Sequence, residues 1–264
     1  ATPIPRTMAL VLYGELDVSV VDELPPGRKE VRTRIVSEKK RQDMYGFIQR
    51  AVEAGHQAYV VCPLVEDSEM MDAASAAQTV QEMRKAMPDV RIELLHGRMK
   101  SEEKDRILQG FAAHESDVLV STTVIEVGVN VPNATIMVIE DAERFGLAQL
   151  HQLRGRVGRG DQQSWCFLMA DPSERMKTMA STTDGFVIAR KDLELRGPGE
   201  LMGLRQSGML DEKILRLASD GPLMDKVTKA VDAIFAQPKA EENRQLMVYA
   251  RRMMEQRGLF VARN

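Results

Sequence analysis

Gln152-Leu-Arg-Gly-Arg-Val-Gly-Arg159 is the stretch on which the reading of the chain turns. Gln152, Arg156 and Arg159 recur at spacings of four and three, which predicts a short helix carrying the Gln and both Arg on one face. Gly155 and Gly158 would keep bulk away from that face. A guanidinium is planar and permanently charged, and it donates paired hydrogen bonds to phosphate oxygens. Two of them on one rigid face suit the charge that develops on a phosphoryl group in transfer, the task of an arginine finger. An exposed, Arg-rich helix end is the bland alternative, so the surrounding chain has to decide.

Around this stretch, apolar strands alternate with amphipathic helices. Strands are expected at Val31–Val36, Ala58–Pro63, Arg91–Leu95, Asp117–Ser121, Thr135–Ile139 and Ser164–Ala170. Helices are expected at Glu38–Glu53, closed by Gly55, and at Ser68–Met87, stopped by Pro88. Two more are expected at Ser101–Ala113, with Ser101 as N-cap, and at Leu147–Arg154. This alternation predicts an α/β fold, a parallel sheet with helices on both faces. Ligands of such sheets bind beyond the carboxyl ends of the strands. His96-Gly97, Ser121-Thr-Thr123 and Glu140-Asp141 follow strands directly and fall there.

Composition bounds the class. The 264 residues are 44% hydrophobic and 28% charged, as in ordinary globular chains. No apolar run approaches the roughly 18 residues of a membrane span. Cys62 and Cys166 lie inside apolar runs and read as buried, reduced thiols of a cytoplasmic protein. A net charge of −3 argues against a uniformly basic surface but allows a local cationic groove. Several of the 17 methionines, among them Met70, Met71, Met83, Met87, Met253 and Met254, recur at helical spacings and read as core filler. Arg28-Lys-Glu-Val-Arg-Thr-Arg34 reads as a solvated strand face, with contact to DNA as the alternative.

Beyond Ala170 the pattern changes at Asp171-Pro172-Ser173. Glu174–Thr178 reads as helix, Gly185–Leu195 is ambiguous, and Arg196-Gly-Pro-Gly199 is a turn. Leu210–Phe235 and Glu241–Gln256 read as helices split by Gln237-Pro238. Three regions are therefore expected: a linker at 1–24, with a short helical piece near Pro5–Tyr13, an α/β lobe at 25–172, and a mostly helical module at 173–264.

Further motifs carry chemistry. Val118-Leu-Val-Ser-Thr-Thr runs a buried strand into a hydroxyl cluster, followed by Glu126, Gly128 and Asn130 at alternate positions. Hydroxyls at a helix start bind phosphate through side chain and backbone N–H, or they simply cap the helix. Taken in order, five segments resemble the superfamily 2 helicases and translocases. Ala1–Thr7 resembles motif III, Tyr59–Glu66 motif IV, Leu94–Met99 the strand-end segment along the tracking strand, Val118–Pro132 motif V, and Gln152–Arg159 motif VI. The resemblance implies that Arg156 and Arg159 face the γ-phosphate and that Gln152 senses the nucleotide. It also assigns Glu126, Gly128 and Asn130 to the nucleotide side, and Thr122, Thr123, His96 and Gly97 to DNA. Asn130 stands where the family usually has Asp, so it can hydrogen-bond a ribose hydroxyl but carries no charge.

No G-x-x-x-x-G-K-[ST] phosphate loop and no Asp-Glu pair for Mg²⁺ is present. The chain therefore looks like the carboxyl-terminal part of a helicase, with ATP and Mg²⁺ held mainly by an absent first lobe. Asp141–Gly208 resembles the RecG family; the transcription-repair coupling factor usually has Gly-Ala-Gly in place of Gly197-Pro-Gly199 and an acidic residue near Arg205. The RecG resemblance implies a helical hairpin and loop after motif VI that turn ATP hydrolysis into movement on duplex DNA, with Arg175, Arg196 and Gln206 in it. It further implies a bacterial, cytoplasmic, nucleoid-associated monomer acting on branched DNA, completed by an amino-terminal motor lobe and a wedge domain. The alternatives are the coupling-factor motor and a non-catalytic DNA-binding module. The chain alone is expected to be inactive.

Overall fold

The computed structural model describes residues 29–64, 69–122, 131–196, 221–237 and 240–256. These fall in two compact units, 29–196 and 221–256. The first is the expected α/β lobe. Its strands are β1 (Arg32–Val36), β2 (Gln57–Cys62), β3 (Ile92–Leu95), β4 (Val118–Thr122), β5 (Ala134–Ile139) and β6 (Trp165–Met169). All pair in parallel, in the order β1-β6-β5-β2-β4-β3.

Burial along each strand follows from that order. β2, β4 and β5 sit inside the sheet with helices on both faces, and every residue in them is buried. β1 and β3 are the edges and alternate between buried and open positions. Arg32 and Arg34 are exposed on β1, so the charged run there is a solvated face as read.

Alternate residues of the inner strands feed two cores. On one face Ala58, Val60, Ile136 and Val138 meet Met44, Tyr45 and Ile48 of α1 (Arg41–Glu53) and Ala76, Val80 and Met83 of α2 (Glu69–Ala86). On the other, Tyr59, Val61, Leu119 and Met137 meet Ile107 and Phe111 of α3 (Ser101–Ala112) and Leu147, Leu150 and Leu153 of α4 (Leu147–Arg154). Met176 and Met179 of α5 (Glu174–Ser181) and Ile188 of α6 (Gly185–Arg196) join that second core. Each such side chain contributes about 1.5–3 kcal/mol when fully buried. Met83 and Met87 are core filler as expected. Both cysteines are buried free thiols, pushed up to about 12 by that burial.

Local signals explain most boundaries. Gly55 closes α1 at φ +89, with its N–H on the Val52 carbonyl and the His56 N–H on that of Ala51. Ser173 caps α5 by accepting from Met176 N. Asp184 Oδ1 accepts from Phe186 N at 2.8 Å and Val187 N at 3.3 Å, which starts α6 and resolves the ambiguous Gly185–Leu195 as helix. One expectation fails: Ser101 does not cap α3. Lys100 is the N-cap, with extended backbone and no side-chain cap bond. Ser101 is already helical, so its hydroxyl is one residue too late to reach the open N–H groups.

The second unit contains α7 (Gly221–Ala236) and α8 (Glu241–Gln256), joined through Gln237, whose carbonyl accepts from Asn243 Nδ2 at 2.9 Å. Among the described residues, no helix is long and apolar enough to cross a membrane. The readings of 1–24 and Leu210–Asp220 fall on residues outside those described; of the turn read at Arg196-Gly-Pro-Gly199, Arg196 is instead the last residue of α6, and 197–199 lie outside them.

Candidate functional site

α4 begins just past the carboxyl end of β5, after Asp141 at φ +44 and the short helical turn Ala142–Arg144. Gly146 N donates to Gln149 Oε1 at 3.0 Å and opens the helix. α4 then runs back across the sheet, buries Leu147, Leu150 and Leu153, and stops at Arg154. Arg156 N donates to Leu153 O and Val157 N to Arg154 O, tightening the last turn. Gly158 then takes φ +73.

Gln152, Arg156 and Arg159 therefore do not share one helical face, contrary to the spacing argument. The helix ends before the two arginines, and a left-handed residue lies between them. The glycines have a different task from clearing a face. A Cβ at Gly158 would stand 2.7 Å from Val31 Cγ2, and one at Gly160 would stand 3.2 Å from Pro132 O. Both positions let the turn lie directly on its neighbours.

Those neighbours fix its location. Val31 precedes β1, Ser164 precedes β6 and Pro132 precedes β5, and all three border Gly158 or Gly160. The arginine-bearing turn thus sits at the amino edge of the parallel sheet. The expectation that the site lies beyond the carboxyl ends does not hold for it, because α4 carries the chain back the length of a strand. Gln152 and Arg159 are exposed and Arg156 is half-buried. Both guanidinium charges act on the Tyr59 phenol, which burial pushes up to about 12 while Arg159 and Arg156 pull it down. The two arginines share one electrostatic neighbourhood although they do not share a helix.

The opposite, carboxyl edge holds the other predicted positions. Thr122 ends β4, is buried, and its hydroxyl has no hydrogen-bond partner among the described residues. Ser121 Oγ donates to Thr122 O at 2.7 Å. His96 is half-buried after β3, Gly97 is exposed, and the Gly97 carbonyl accepts from Lys104 Nζ at 2.6 Å. Glu140, at the end of β5, is gripped by Arg41 at 2.8 and 2.9 Å. Arg41 also binds Glu38 at 2.7 and 2.8 Å and the Tyr45 hydroxyl at 3.2 Å. Burial raises the Glu140 carboxyl above its ordinary range, and Arg41 only partly offsets this. Glu140 is thus the buried end of an ion cluster, open to solvent at Glu38, that holds α1 on the sheet.

Arg175 Nη2 donates to the backbone carbonyl of Glu143, so α5 is tied to the segment entering α4. Thr123, Glu126, Gly128, Asn130, Gln206, Glu66, residues 1–7 and the side chain of Arg196 lie outside the described residues.

One residue escaped the sequence reading. Arg154 is 3% exposed, and its Nη1 donates to Met179 O and Thr182 O, both at 2.8 Å, and to Thr33 Oγ1 at 3.4 Å. The signal was available: Leu147, Leu150, His151 and Arg154 recur at the i, i+3, i+4, i+7 spacing of a buried stripe.

Comparison with known proteins agrees with this fold. Residues 39–161 match the helicase conserved C-terminal domain, and residues 182–261 match the C-terminal part of domain 3 of the ATP-dependent DNA helicase RecG. The chain is 47% identical over 251 residues to the ATP-dependent DNA helicase RecG of Bacillus subtilis, covering 90% of this chain and 37% of that protein. It is 50% identical over 233 residues to the one from Acidithiobacillus ferridurans, covering 86% and 34%. A solved structure of RecG bound to a three-way DNA junction superposes with a TM-score of 0.66 at 47% identity, covering 83% of this chain and 30% of that one. The chain spans about a third of the length of the curated relatives it matches.

Proposed function

We propose that this chain, which belongs to the RecG helicase family and matches its carboxyl-terminal region, is the second motor lobe and translocation module of an ATP-dependent enzyme that remodels branched DNA. The reading is carried by the turn at Gly155–Arg159, where two arginines bear on one neighbourhood at the amino edge of the sheet. Arg156 and Arg159 offer paired donors to a γ-phosphate, and the charge they add is worth most as negative charge spreads over the transferring group. Gln152, one turn before Arg156, reports the nucleotide state. ATP would lie between this lobe and a first lobe that carries the phosphate loop and the Mg²⁺ carboxylates.

Connectivity supports a coupling role for 118–132. β4 and β5 are parallel neighbours of β2, so the chain leaving Thr122 at the carboxyl edge must re-enter at Val131 by the amino edge. Thr122 leaves β4 on the edge that also presents His96 and Gly97, and these three with Thr123 are the proposed DNA-side residues. At the other edge Pro132, just before β5, abuts Gly160 beside Arg159. Glu126, Gly128 and Asn130 are the proposed nucleotide-side residues. Arg175, Arg196 and Gln206 belong to the proposed translocation motif.

The parent is proposed to be a cytoplasmic, nucleoid-associated monomer that drives fork regression and Holliday-junction migration. The match of 182–261 to a RecG-specific region favours this over the coupling factor. The test is ATP hydrolysis and fork regression by the full-length parent. DNA-stimulated hydrolysis with regression is the expected result; a parent that hydrolyses no ATP in the presence of forked DNA refutes the reading.

A further inference from the structure

We propose that Arg154 is a positioning residue that ties the phosphate-facing turn to the α5–α6 helix pair, so that a displacement of one is passed to the other. The proposal rests on the functional reading above for the meaning of that displacement, but the contact itself stands on geometry.

Arg154 is the last residue of α4, and Arg156 follows two positions later. Its guanidinium is buried at the end of α5. Met179 lies in the last turn of α5 and Thr182 is its C-cap, so both accepted bonds fall on carbonyls that a helix end leaves open. The partial negative charge of that helix end offsets the cation. The third contact, to Thr33, reaches β1, the edge strand beside which Gly158 lies. Residues 182–184 join α5 to α6, and Asp184 caps the start of α6. α6 continues to Arg196, where the first unit ends. One side chain thus joins the motif VI helix, an edge strand and the turn from which α6 starts.

Packing alone does not account for an arginine here. The position lies on the apolar stripe of α4, where Leu or Met would fill the space without the cost of burying a charge. Nη2 is also buried and has no hydrogen-bond partner among the described residues. That unspent donor lets the guanidinium exchange acceptors as the turn shifts, the property required of a two-position contact.

The test uses Arg154→Met and Arg154→Lys in the full-length parent, with ATP hydrolysis and strand separation followed in one reaction. The expected result is about a tenfold fall in base pairs opened per ATP, with hydrolysis within about threefold of wild type. An unchanged ratio overturns the proposal, as does a parallel loss of both activities with a lowered Tm, which marks a purely structural role. Hydrogen exchange on the present 264-residue chain decides the contact independently of DNA. Amides of 182–188 in the variant should exchange about tenfold faster, with those of β2, β4 and β5 unchanged. Unaltered exchange at 182–188 overturns the contact. A wild-type parent without DNA-stimulated hydrolysis sinks the functional reading while the exchange result still stands. Should Arg154→Met fail to fold, Arg154→Lys, which keeps the charge but not the fork, carries both readouts.

Discussion

Gly158→Ala perturbs the arginine turn without touching either arginine. Gly158 has φ +73, where an L side chain costs about 1–2 kcal/mol. The new Cβ would also stand 2.7 Å from Val31 Cγ2, closer than real Cβ contacts. Val31 is 9% exposed and β-branched, so it cannot swing clear, and overpacking of this kind costs about 1–3 kcal/mol. Alanine recovers about 0.4–1 kcal/mol by restricting the unfolded chain. The net destabilisation is then about 1–5 kcal/mol. Urea denaturation followed by the fluorescence of Trp165, the single tryptophan, reads it directly, because Trp165 starts β6 and packs edge-on against Phe47. A double-mutant cycle with Val31→Ala separates the two costs. Removing Cγ2 should relieve the overlap and leave the backbone penalty, giving a favourable coupling of about 1–3 kcal/mol. A Gly158→Ala cost below about 0.5 kcal/mol, or additive effects in the cycle, would refute the assignment of Gly158 to close packing in a left-handed turn.

Arg41→Met leaves Glu140 buried without its bidentate partner and should cost about 3–5 kcal/mol at neutral pH. Glu140 is already raised by burial, and an acid raised in the folded state favours folding at low pH and loses that contribution as pH rises through its folded value. Without Arg41 it rises further, so the Tm deficit against wild type should shrink from pH 8 to pH 5; a constant deficit contradicts this. Burial raises Asp117, but the bonds from Arg91 outweigh it and leave the carboxyl below its ordinary 3.8. A lowered acid stabilises above its ordinary value and loses that contribution as pH falls through the folded one. Asp117→Asn should therefore cost about 1–3 kcal/mol at pH 7, a cost that shrinks as pH falls below the ordinary carboxyl value of 3.8, as read by urea midpoints. The isolated chain should hydrolyse no ATP above background; turnover by the pure protein would contradict the division of the site between two lobes.

The lobe was legible because the interior strands are short apolar runs and the first two helices have their own stops. Pro88 and Gly55 ended helices where expected, and the unbroken apolarity of Ala58–Pro63 marked an interior strand. The site was less legible. Helical spacing was carried through Gly155 and Gly158 because a period says nothing about where a helix ends, and Gly158 takes its left-handed turn for the sake of Val31, 127 positions earlier. The placement of the arginines at the amino edge is likewise tertiary, set by α4 running back over the sheet. Arg154 was passed over because a charged residue on an apolar stripe reads as a helix end; only the open carbonyls of α5 show what it binds. Ser101 missed its capping role by one residue, the scale at which sequence rules for helix ends fail.

The most direct test of the proposed site is single-turnover ATP hydrolysis by the full-length parent on forked DNA, wild type against Arg159→Lys. Lysine keeps the charge but loses the planar fork. The expected result is a fall of about a thousandfold in the hydrolysis step with DNA affinity unchanged. Hydrolysis within about threefold of wild type, where a true arginine finger should cost orders of magnitude, would contradict the assignment of the Gln152–Arg159 turn to the phosphoryl group.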